Sequence, residues 1–108
     1  MLTNLKNILD QLGIPVAYSH FNTATQLPYI CFYESGTDNT FADNKVWHQC
    51  KSVEIELYTE LKDLDLEEDL EDLLNTNEIP FEKITETYID DEKMYESVYQ
   101  IELYKTEE

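Results

Sequence analysis

Leu2, Leu5, Ile8, Leu9 and Leu12 recur three and four positions apart, which places them on one stripe of a short amphipathic helix. Gly13 is placed to end that helix, because a helix C-terminus often needs a left-handed residue, and Pro15 blocks its resumption. Residues 14–19, "IPVAYS", predict a short strand, and "FNTATQLP" after them has no period and reads as a loop. In "YICFYES", Tyr29, Cys31 and Tyr33 alternate with Ile30 and Phe32, so both faces are apolar or aromatic, as in a central strand. "SGTDNTFADN", residues 35–44, is a loop by composition. A long strand follows, in which Val53, Ile55 and Leu57 alternate with Ser52, Glu54 and Glu56. Counting back by twos puts Lys51 and Gln49 on the core side, so a bulge or bend near Cys50 is expected to shift the register.

Leu66, Leu70, Leu73 and Leu74 form the stripe of a second helix, with acids on its remaining faces. Asp65 is the expected cap, with Glu68 as its capping-box partner, and Asn75, Thr76 and Asn77 stop the helix before Pro80. "FEKITETYI" and "YESVYQIELY" predict two strands joined by a turn around "DDEK". The order α-β-β-β-α-β-β implies one α+β domain over residues 1–108: a mostly antiparallel sheet of about five strands, with both helices packed on one face.

Charge changes the picture. Twenty-four acids face seven bases, all of them lysine, for a formal charge of −17. That balance, without one arginine fork, excludes ordinary gripping of nucleic-acid phosphates and disfavours an anionic membrane. It leaves a basic protein partner, a surface that repels DNA, or a mimic of DNA. Seven carboxylates crowd residues 63–72. A charge run is ordinarily a solvated helix face, yet this one carries self-repulsion that no intervening lysine relieves, which points to a use for the field. No apolar run approaches the ~20 residues of a spanning helix, and the N-terminus lacks the marks of a secretory signal. A cytosolic site of synthesis follows, with Cys31 and Cys50 as unbonded thiols.

Candidate chemistry is sparse. With glycine only at positions 13 and 36, no glycine-rich phosphate cradle can form. His48 lies two residues from Cys50, but no third group or oxyanion hole accompanies them, and no catalytic residue is assigned. Asp38, Asn39, Asp43 and Asn44 lack calcium-loop spacing, and two Cys with two His lack finger spacing, so neither a metal nor a cofactor is expected. Trp47 reads as a half-buried strand residue. Phe41 reads as a loop aromatic with no element to carry it into its own core, the kind of side chain that docks in a neighbour. Phe41, Asp43, Asn44 and Trp47 are therefore the candidate interface residues.

The segments "LPYICFYESGTDNTFADNKVW", "SVEIELYTELKDLDLEEDLEDLL" and "IPFEKITETYIDDEKMYESVYQIELY" resemble those of small tail proteins of long-tailed phages and prophages, the tail terminator or tail-to-head joining family. The resemblance spans nearly the whole chain and rests on the "PYI" strand, the "ADN" loop and the "ELYT" strand before an acidic helix. It implies a non-enzymatic virion protein at the head-proximal end of the tail, made in the host cytoplasm. Copies would form a ring, usually a hexamer, that caps the tail tube protein and binds the head connector while DNA passes through. It implies subunit contacts through loops and sheet edges, which suits Phe41, Asp43 and Asn44. The alternative class is a small acidic inhibitor of phage origin that mimics DNA toward a basic cleft.

Overall fold

The computed structural model describes residues 2–42 and 45–106, with the side chains of residues 38–42, 45–48, 105 and 106 outside the description. The elements are α1 (Leu2–Asp10), β1 (Val16–Tyr18), β2 (Tyr29–Ala42), β3 (Lys45–Thr59), α2 (Leu64–Thr76), β4 (Phe81–Ile89) and β5 (Met94–Thr106). They form the expected α+β arrangement, one five-stranded sheet in the order β1-β2-β3-β5-β4. Every pairing is antiparallel except that of β1 with β2.

Both leucine stripes do what their periodicity requires. Leu5 and Leu9 of α1 and Leu70 and Leu74 of α2 are buried in one core with Ile30, Phe32, Val53, Ile55, Leu57, Tyr99 and Ile101. That core occupies one face of the sheet, because the strand members alternate with the residues of the other face. Gly13 follows α1 with φ +77°, the left-handed conformation its position demanded.

Three local expectations are corrected. Residues 35–42 are not a loop: β2 runs unbroken to Ala42, whose partner across the hairpin is Lys45. Composition misled because Thr, Asn and Asp are polar, while the long partner strand β3 pairs with the backbone groups on the facing edge of this segment. The bulge lies elsewhere than Cys50. β3 pairs with β5 without interruption from His48 to Thr59, and the two register shifts fall in its pairing with β2, between Glu34 and Gly36 and between Thr40 and Phe41. Lys51 thus stays in the row of Val53, half-buried near the end of the core, with its ammonium 3.5 Å from Glu34. The cap of α2 is Asp63, whose Oδ1 accepts from the Leu66 backbone N–H at 3.0 Å, and not Asp65.

The strands are staggered. β1 reaches only Ile30–Phe32 of β2, and β4 reaches only as far along β5 as Ile101. Beyond them β2, β3 and the tail of β5 continue as a three-stranded arm, and the molecule is 52 Å long. A 15-residue strand at ~3.3 Å per residue accounts for that length.

Candidate functional site

The helix-covered face holds a charge network. Glu67, on the inner side of α2, is buried. It accepts from Lys83 at 2.7 Å and from Lys62, and both lysines also reach Glu86 on β4. Burial alone would raise the Glu67 carboxyl, but the hydrogen bonds from Lys62 and Lys83 outweigh it and hold it below the usual range. The same two lysines bring Glu86 down to about 2. Tyr99, fully buried on β5, donates to Glu71 at 2.9 Å, and its own ionisation is pushed up by burial and by that carboxylate. The network ties α2 to β4 and β5. Two lysines match Glu67 and Glu86, while Glu71 at its margin is met by the Tyr99 hydroxyl.

The opposite face is built differently. Glu54, Glu56, Glu96 and Glu102 stand in neighbouring rows of β3 and β5, and the described strand residues beside them on that face include no lysine. Their partners are tyrosines. Tyr58 donates to Glu96 at 2.7 Å, Tyr33 to Glu54 and Tyr104 to Glu102. A phenol satisfies a carboxylate's lone pairs without cancelling its charge. Glu56 records the result: burial and the charges of Glu96 and Glu54 push its carboxyl up, against a smaller opposing effect from Tyr58. This face repels anions and attracts cations.

At one end of it a cleft of about 390 Å³ is lined by His20, Phe21, Tyr29, Cys31 and Tyr58, among others. It brings a histidine and a cysteine to one place, but burial and Glu56 push the Cys31 thiol up, away from the thiolate a nucleophile needs. His20 Nδ1 is 3.3 Å from Ser19 Oγ, a neighbour on its own loop. Among the described residues no group of three or more His, Cys, Asp or Glu is arranged to hold a metal ion.

Of the four residues proposed from sequence, the structure gives backbone positions for Phe41 and Trp47. Phe41 is a strand residue opposite Val46, so the premise that no element carries it fails. The register passes from Thr40 opposite His48 to Phe41 opposite Val46, which leaves Trp47 as the extra residue of β3. The side chains of Phe41 and Trp47, and Asp43 and Asn44 altogether, lie outside the described residues. Sequence reasoning missed an exposed apolar set elsewhere: Leu61, Leu64, Ile84 and Tyr88. Leu61 and Leu64 precede the stripe that begins at Leu66, a sign that they were never core positions. Ile84 is the extra residue at the β4 register shift between Lys83 and Thr85. No described helix is long and apolar enough to cross a membrane. No protein-family model matches this chain, and no curated protein matches it.

Proposed function

We propose that the chain is a structural subunit that assembles with copies of itself into a ring, closing a phage tail tube and joining it to the head connector while duplex DNA passes through the centre. The observation that carries this reading is the open sheet face, where carboxylates are satisfied by tyrosines and left uncancelled by lysines. A conduit must not bind its cargo. At physiological salt the Debye length is ~8 Å, so such a face repels phosphates only as they come close to the wall. The role is mechanical, and it calls for no catalytic residue and no cofactor. The arm of β2 and β3 extends past the helices and offers its end, with Phe41 and Trp47, for contact with a neighbour or the tail tube.

The test pairs complementation of tail assembly with a thermal melt of Phe41→Ala. The expected result is a melting temperature within about two degrees of the parent, as is usual away from a core, with tail completion lost. An early melt assigns Phe41 to the fold, and a normal melt with tails completed removes the arm from the contact. A chain that stays monomeric and instead binds a basic DNA-binding protein belongs to the mimic class.

A further inference from the structure

We infer that the contact between copies is a strand pairing, in which the outer edge of β4 joins the part of β2 that β1 leaves uncovered on the next copy. This deepens the ring reading and rests on it.

Four observations converge. The first is the pair of free edges: β4 lies at one end of the strand order, and β1, at the other, covers only three residues of β2. The lane beside residues 36–42 has no described strand in it, and backbone groups along an open edge are a template for another strand. The second is direction. β2, β3, β5 and β4 alternate in sense, so copies related by rotation about a ring axis present β4 antiparallel to β2. That is the better-bonded pairing.

The third is Gly36. It sits on the free stretch of β2 outside the left-handed region, and a Cβ built there meets nothing within 4 Å. It borders the β2 register shift, where strand glycines are common, and it also leaves room for the close approach of another backbone. The fourth is what flanks β4. Ile84 and Tyr88 on it are exposed, as are Leu61 and Leu64, whose neighbour Lys62 reaches Glu86 and so holds that turn beside the strand. Charge permits the approach there. β4 has two acids and one lysine and residues 33–52 have three acids and two lysines, against nine acids and one lysine in residues 60–78.

The stagger of the sheet is compatible with closure. One copy spans four strand positions, ~19 Å at ~4.8 Å each, while the two edges are offset by seven residues, from Gln49 to Glu56, or ~23 Å at ~3.3 Å each. A closed ring then needs strands tilted by roughly 50°, slightly above the 35–45° of closed barrels.

The test uses the full chain at about 1 M salt with Ile84→Glu, Gly36→Glu and, as a charge control on α2, Asn75→Asp. Mass is read by sedimentation, folding by circular dichroism, and edge protection by amide exchange of the parent chain as concentration rises. The parent should associate and gain protection in β4 and in residues 36–42 together. Each edge variant should associate at least tenfold more weakly and the control like the parent. An equimolar mixture of the two edge variants should stop at a pair, since one sound edge remains on each. Loss with Ile84→Glu but not with Gly36→Glu would overturn the inference in favour of a two-fold β4 pair. So would a parent chain with no concentration-dependent protection, a measurement that stands even if a variant misfolds. Rings that form but complete no tails keep the strand pairing and end the tail reading. Tails completed by edge-blocked variants do the reverse.

Discussion

The two faces of the sheet solve the same problem, a crowd of carboxylates, in opposite ways. Under α2, Glu67 and Glu86 are met by the ammonium groups of Lys62 and Lys83. On the open face, Glu54 and Glu96 are met by the hydroxyls of Tyr33 and Tyr58. Both arrangements supply hydrogen bonds, but only the first removes charge. The helix-covered face therefore behaves as a fastening, and the open face as a source of negative field. In a chain with only seven bases, placing two at one buried carboxylate leaves fewer for everywhere else.

The largest test of the contrast is Leu70→Asp. Leu70 is fully buried between α2 and the sheet, and an unpaired charge there costs several kcal/mol. The domain should fail to show a cooperative melt, as followed by circular dichroism. An unchanged melt would remove α2 from the core.

Next in size is Glu67→Gln. It strips the charge from the centre of the fastening and leaves Lys62 and Lys83 with Glu86 alone. About 1–3 kcal/mol should be lost in denaturant titration at neutral pH. The pH profile separates the faces further. Glu67 and Glu86 both have folded values below 4.5, about 2 for Glu86, so their stabilisation is present above 4.5 and is lost as pH falls through those folded values. Glu56 has a folded value above 4.5, so ionising it opposes folding at neutral pH, and that cost is relieved as pH falls through its folded value toward 4.5. The melting temperature should therefore rise modestly on acidification from neutrality and fall below about 4.5. Glu67→Gln should flatten the lower limb and Glu56→Gln the upper one. The smallest effect is that of Glu56→Gln at neutral pH, within ~0.5 kcal/mol and in the stabilising direction. A clear loss with Glu56→Gln would mean that the open face fastens something too.

What was legible in the sequence divides along physical lines. Periodicity reports burial of whole elements, so the leucine stripes and the Val53, Ile55, Leu57 alternation placed both helices and the central strand. Residues 35–42 escaped because strand formation there depends on a partner more than on composition, and β3 is long enough to supply one. Glu67 escaped because its lysines come from positions 62 and 83, on different elements, and an acid in an acidic run carries no mark of burial. The open edges escaped for a third reason. Whether a strand is central or at an edge is a property of the sheet order, which no local pattern in β4 or β2 encodes. The candidate contact residues suffered from the same cause: Phe41 drew attention as a loop aromatic, whereas Ile84 and Tyr88 looked like ordinary strand positions.

Negative-stain class averages of the purified chain at about 1 M salt, where the Debye length is ~3 Å, test the central claim most directly. Repulsion between copies of charge −17 is then screened, and closed rings with a central hole wide enough for duplex DNA are expected. Single particles or compact pairs at every concentration, with no ring, would contradict the account.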